Sequence, residues 1–268
     1  MMNAEELLTG RSPYINSRYP VDIVKYCTSS TFVFRTCIWR PSYPSCAMKT
    51  EKLRIPVSAT IGEVSAELTA DDSMRCLYVF AHGAGADMNH PFMVKLTHAL
   101  SVFGIGTLRY NFPFKEKSGR RPDPPAIAGL TVHRAIESAV NRFPAVPLLA
   151  GGKSFGGRMT SQFLSGSEQP AVTGIVFNGF PLHPAGKPGT ERAAHLSLLD
   201  IPMLFLQGTR DALADMKLMQ EVCEALPKAT LVPVAGADHS FKAGKKDNIG
   251  LLAEAIQSWC SGILEDKP

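Results

Sequence analysis

The sequence predicts an α/β domain built on a largely parallel sheet, and three observations carry that prediction. From residue 52 onward, apolar runs of strand length alternate with amphipathic helical patterns, the order expected of a sheet flanked by helices. Hydrophobic residues make up 45% and charged residues 19% of the chain, an ordinary balance for a globular protein and too apolar for wholesale disorder. At 268 residues, the chain is long enough to bury a sizeable core.

The elements follow in order. Segments 53–57 and 63–68 are short and partly alternating, and read as an exposed hairpin at a sheet edge. Buried strands are expected at 76–81, 105–110, 146–150, 174–177, 202–206 and 230–234. Between the first two of these, Pro91 opens a helix with Phe92, Leu96, Leu100 and Phe103 on one face and Asn89 as its cap. Asp123 is the expected cap of the next, with Pro124 and Pro125 in the first turn and Ile127, Leu130, Ile136, Ala139, Val140 and Phe143 as its apolar side. Segment 180–200 is Pro- and Gly-containing and too short for a multi-helix insertion, which predicts an open site with no large cap domain. A helix is expected over 213–226. The last runs through Ile249, Leu252, Ala253, Ile256, Trp259, Cys260 and Ile263, a stripe of the kind that packs onto a sheet.

Chemistry enters at the end of the 146–150 run, where Gly152-Lys153-Ser154-Phe155-Gly156 places a serine in a Gly-x-Ser-x-Gly pattern. In such an elbow the serine occupies a sharp strand-to-helix turn, and the residues two before and two after it come too close to neighbouring backbone for a side chain. Gly157 would let the following helix pack tightly on the sheet. A serine hydroxyl needs a general base and a group to orient that base. Asp211 follows the 202–206 strand and His239 follows the 230–234 strand, both at the strand edge where sites in open parallel sheets form. Taken singly, Asp211 reads as a turn or cap residue and His239 as a surface loop residue. Asp215 and Asp238 are rival acids, the first assigned to the helix and the second adjoining His239 in sequence. For an oxyanion hole the expected donors are the backbone N–H groups of Phe155 and of Ala84, the latter in the small-residue loop His82-Gly83-Ala84-Gly85. His82 itself reads as a structural histidine holding that loop.

These pieces, together with Arg109-Tyr110-Asn111-Phe112-Pro113-Phe114, Gly208-Thr209-Arg210-Asp211 and Asp238-His239-Ser240-Phe241, resemble the dienelactone-hydrolase-like branch of the α/β-hydrolases. More narrowly, they are similar to the hydrolase-like domain shared by bacterial proteins, a testis-expressed protein and an NSL chromatin-complex subunit. The resemblance covers about residues 50 to 265. It implies an α/β-hydrolase fold, with a mostly parallel central sheet flanked by helices, and a serine hydrolase acting on a small carboxylic ester, thioester or lactone. It also implies a Ser154–His239–Asp211 triad and neither cofactor nor metal. Dienelactone hydrolase uses cysteine where this chain has Ser154, which separates the two activities. The rival reading is a hydrolase fold serving as a non-catalytic binding or scaffold module.

Other classes fit poorly. A net charge of +4 does not call for a nucleic-acid or membrane partner. Gly152-Lys153-Ser154 imitates the end of a phosphate-binding loop, but the glycine required five residues upstream is Pro147. No pair of histidines has zinc-ligand spacing. The six cysteines lack both disulfide-scaffold density and C-x-x-C spacing, which points to a reducing, cytoplasmic compartment. No apolar run reaches a membrane-spanning length of roughly 18 residues. Residues 1–47 form an expected N-terminal extension to a 48–268 hydrolase domain, read either as the product of a start upstream of Met48 or as a transit peptide. Lys153 directly precedes Ser154, and Lys115, Lys117, Arg120 and Arg121 cluster after Phe114; this charge could attract an anionic acyl group but is more simply that of a solvated loop with ordinary surface lysines.

Overall fold

The computed structural model describes residues 48–166 and 172–265. The expected extension 1–47, with Cys27, Cys37 and Cys46, lies outside the described residues.

Eight strands form one sheet: β1 (Lys49–Ser58), β2 (Gly62–Ala70), β3 (Cys76–Ala81), β4 (Ile105–Tyr110), β5 (Leu148–Lys153), β6 (Gly174–Asn178), β7 (Met203–Gly208) and β8 (Ala229–Val234). Their spatial order is β1-β2-β4-β3-β5-β6-β7-β8. The first two form an antiparallel hairpin, β2 runs antiparallel to β4, and from β4 to β8 every pairing is parallel. The helices are α1 (Pro91–Ser101), α2 (Pro113–Glu116), α3 (Pro125–Arg142), α4 (Phe155–Ser165), α5 (Met216–Glu224) and α6 (Ile249–Glu265). Segment 180–200 carries only the 3-10 turns Glu191–Leu198, so there is no cap domain.

The period-2 geometry of a strand divides the core in two. Along β3, Leu77, Val79 and Ala81 face one way and join Ala128, Val132 and Ile136 of α3, Met159 and Leu164 of α4, and Met219 of α5. Cys76, Tyr78 and Phe80 face the other way and join Phe92, Met93 and Leu96 of α1 and Leu252 and Ile256 of α6. Every residue of β3, β4, β6 and β7 is buried, which is why these strands lack polar alternation in the sequence.

Several local expectations shift. Asn89 does not cap α1: its N–H is taken by Asp87 Oδ1, and His90 Nδ1 accepts from Phe92 N at 3.2 Å instead. Nor does Asp123 cap α3; Pro124 stands at that position, and Asp123 Oδ2 accepts from Phe114 N at 3.0 Å. The buried side of α3 runs through Ala128, Val132, Ala135, Ile136 and Ala139, with Leu130 and Val140 at its margin. Small alanines facing the sheet let the helix approach it closely. The helix expected from 213 begins at Met216, after Asp215, whose Oδ1 accepts from Lys217 N and Leu218 N. Strand β5 extends through Gly151 to Lys153 because partners on both sides, β3 and β6, continue its ladder.

Candidate active site

Strand β3 pairs with β4 on one side and β5 on the other. The connections after β3 and β5 therefore diverge and leave a crevice at their carboxyl ends. Ser154 stands in that crevice, between β5 and α4, with φ 50° and ψ −112°. A non-glycine residue at positive φ is strained, and strain of this kind is held only where the surroundings enforce it. Here the enforcing contacts are close backbone approaches. A Cβ on Gly152 would lie 2.3 Å from Ala81 O, and one on Gly156 would lie 2.6 Å from both Ala81 O and His82 O. The two elbow glycines are thus required by the passage of β3 and its loop across the turn.

Ser154 Oγ is 2.9 Å from His239 Nε2, and His239 Nδ1 is 2.7 Å from Asp211 Oδ2. A carboxylate only accepts, so the imidazole proton sits on Nδ1 and Nε2 is left to accept from the serine hydroxyl. Asp211 is buried while His239 is partly open to solvent. The rival acids are engaged elsewhere. Asp215 caps α5, and Asp238 Oδ1 accepts from Ser240 N and Lys242 N, shaping the His239 loop.

Residues not singled out by the sequence complete this arrangement. Gln207, fully buried at the end of β7, donates from Nε2 to Asp211 Oδ2 at 2.6 Å, and Leu213 N donates to Asp211 Oδ1 at 2.8 Å. His183 Nε2 accepts from Asp215 N at 2.8 Å while the backbone N–H of His183 donates to Leu213 O, tying the loop after β6 to the loop that carries Asp211. The residue types gave no cue: Gln207 lies inside an apolar strand and His183 between prolines.

Lys153 is not aimed at substrate. Its Nζ donates to His239 O at 2.6 Å and lies 5.2 Å from the Phe241 ring centroid and 5.9 Å from that of Phe92. Burial lowers its pKa to about 8, with the charges of Asp211 and Asp238 opposing the shift. The ammonium group therefore anchors the backbone of the histidine loop.

On the opposite side, Phe155 is the first residue of α4, so its N–H has no acceptor within the helix. Gly83 abuts Ser154, since a Cβ there would stand 3.7 Å from Ser154 Cβ. Ala84 follows it, half-buried, in a turn closed by Ala86 N donating to Gly83 O at 3.1 Å. His82 holds this loop. Its Nε2 accepts from Phe112 N at 3.0 Å, so Nδ1 carries the proton and donates to Gly83 O at 2.8 Å. Burial lowers the His82 pKa to about 4. The segment after β4 braces the same loop: Arg109 donates to Met88 O and pairs with Glu67, and Asn111 Oδ1 accepts from Met88 N at 2.9 Å. Lys117, Arg120 and Arg121 are exposed, and Lys115 lies over the Phe114 ring, as in the solvated-loop reading.

A family model described as an alpha/beta hydrolase domain matches residues 74–265. An alpha-beta serine hydrolase homologue from Coxiella burnetii aligns with a TM-score of 0.64 at 20% identity, covering 80% of this chain and 99% of its own. An α/β serine hydrolase without lid from Xanthomonas campestris aligns at 0.61 and 18% identity, over 82% of this chain and 98% of its own. Dienelactone hydrolase from Anabaena variabilis aligns at 0.63 and 16% identity, over 80% and 98%. At such identities the likeness is one of fold. No helix among the described residues is long and apolar enough to cross a membrane. With the match running from just before β3 through α6, over most of the chain, the chain belongs to the alpha/beta hydrolases.

Proposed function

We propose that the protein is a serine hydrolase of small carboxylic esters, thioesters or lactones, with residues 48–268 as its catalytic domain. The observation that carries this reading is the pair of hydrogen bonds linking Ser154 Oγ to His239 Nε2 and His239 Nδ1 to Asp211 Oδ2. His239 takes the proton of Ser154 as its oxygen attacks the acyl carbon, and Asp211 stabilises the resulting imidazolium. The tetrahedral oxyanion is met by the N–H of Phe155, favoured by the α4 dipole, and by that of Ala84 in the loop after β3. His239 then protonates the leaving group, and water releases the acyl-enzyme by the same route in reverse. The narrower kinship with the domain shared by the testis-expressed and NSL-complex proteins rests on the Gly-Lys-Ser elbow and on the segment 109–114. The reading as a cytoplasmic protein rests on the cysteine number and spacing in the sequence.

The test is labelling by a fluorophosphonate probe together with turnover of a short-chain 4-nitrophenyl ester. Labelling is expected in the unaltered chain and absent in Ser154→Ala, with kcat reduced by about 10⁴ to 10⁶. Labelling that survives the substitution removes Ser154 as nucleophile. An unaltered chain that neither labels nor turns over is a scaffold rather than an enzyme.

A further inference from the structure

We propose that Arg158 and Arg192 form a carboxylate-binding subsite beside Ser154, so that the substrates are esters carrying a second, ionised carboxylate. This rests on Ser154 as the nucleophile and names the substrate class that the site selects.

Position on α4 supplies the first argument. Arg158 stands one turn beyond Ser154, about 6 Å along the helix axis. Its backbone N–H donates to Ser154 O at 3.1 Å. Side chains on a helix lean toward its N-terminus, which from Arg158 is the direction of Ser154.

Arg192 reaches the same place from the segment that replaces a cap domain. In the 3-10 turns Glu191–Leu198, residues three apart stack on one face, which aligns Arg192 with His195. His195 Nε2 is 2.7 Å from Ser161 Oγ, and Ser161 shares with Arg158 a face of α4. The two turns thus run side by side, with His195 against Ser161 and Arg192 toward Arg158. Arg192 Nη1 also donates to Pro181 O at 3.3 Å, which fixes it beside the loop leaving β6 at the crevice edge.

The charges are unmatched. Neither arginine forms an ion pair among the described residues, and Arg158 Nε is buried without an acceptor. Burial and the Arg192 charge both push the Arg158 pKa down, and burial with the Arg158 charge lowers that of His195 to about 4. Two half-buried guanidinium groups placed together without a carboxylate are costly to the free protein. A ligand carboxylate supplies the missing acceptor, and a planar guanidinium fork suits it. Half-esters of short dicarboxylic acids carry both groups such a site would engage, an acyl carbonyl and a carboxylate a few bonds away.

The experiment compares kcat/KM for neutral 4-nitrophenyl butyrate and anionic mono-4-nitrophenyl glutarate in the unaltered chain, Arg158→Gln, Arg192→Gln and Arg192→Lys. The unaltered chain is expected to favour the anionic ester. Each glutamine variant should lose about 10- to 100-fold on that ester, at least tenfold more than on the neutral one, and Arg192→Lys should recover part of the loss. Equal losses on both esters, or no preference in the unaltered chain, overturn the subsite while leaving the serine hydrolase intact. A second measurement does not depend on turnover: glutarate should raise the melting temperature of the Ser154→Ala chain, and less so when either arginine is also replaced by glutamine. A glutarate effect that is absent, or unchanged by those replacements, overturns the subsite whether or not any ester is cleaved.

Discussion

Asp211 Oδ2 accepts two hydrogen bonds, from His239 Nδ1 at 2.7 Å and from Gln207 Nε2 at 2.6 Å. Gln207 holds the acid from beneath and is a positioning residue. Gln207→Leu leaves a packed side chain but removes a bond to a charged acceptor, worth about 1.5 to 3 kcal/mol. The expected result is a kcat lowered about 10- to 100-fold with KM nearly constant, measured on any ester the chain turns over; a change confined to KM would contradict the role. Ser154, Asp211 and His239 were legible because each is a reactive residue type just after an apolar strand, the edge where parallel sheets place their sites. Gln207 was illegible for the converse reason. It lies within the strand, and no local pattern says that its amide turns toward a carboxylate four residues later. Lys153 was legible as a feature and misleading as to use, since a lysine beside a nucleophile suggests a substrate anchor, whereas its Nζ holds the backbone of His239.

Between elements, the site depends on how closely the strand ends and their loops approach. Gly208, at the end of β7, lies against the histidine loop: a Cβ there would stand 2.4 Å from Ala237 O and 2.6 Å from Asp238 O. Backbone cannot yield as a flexible side chain does, so Gly208→Ala must push the loop bearing His239 away from the end of β7 and the turn after it that bears Asp211. Turnover of any ester that the unaltered chain hydrolyses should fall more than tenfold, and the urea midpoint should drop by the equivalent of about 1 to 3 kcal/mol. Full activity at unchanged stability would show that the loop relaxes freely and that the close approach has no bearing on the site. The elbow glycines at 152 and 156 were readable from their spacing around Ser154. Gly208 was not, because its partner, the carbonyl of Ala237, is 29 residues away in sequence and next to it only once β8 pairs with β7. Two helix caps were misread for a related reason. His90 rather than Asn89 caps α1, and Asp123 gives its carboxylate to Phe114 N, choices set by loop geometry rather than by spacing from the helix.

Across the whole molecule, alternation of apolar runs and helical patterns revealed the sheet and its flanking layers, since buried parallel strands and amphipathic helices leave long-period signals. Strand order carries no such signal, because β3 pairs with β4 and β5 through backbone groups common to every residue. One consequence of the packing is measurable in the stability of the entire fold. His82 bridges the loop after β3 to the segment after β4, accepting from Phe112 N and donating to Gly83 O. The bond accepted from Phe112 N requires the neutral imidazole, and burial lowers its pKa from 6.5 to about 4, against the bond to Gly83 O, which favours the charged ring. Between those values the unfolded chain binds a proton that the folded chain refuses. Stability therefore falls as pH drops from 6.5 toward 4, and this group contributes no slope above 6.5. The full difference corresponds to about 3 kcal/mol. Urea unfolding at pH 7, 6, 5 and 4.5 should show the loss in the unaltered chain. His82→Gln should be less stable at pH 7, because Phe112 N–H and Gly83 O lose well-aligned partners, and should lose less on acidification because the titrating group is gone. Parallel pH curves for the two chains would mean that the acid sensitivity arises elsewhere and that His82 is not the proton-linked brace of the loop after β3.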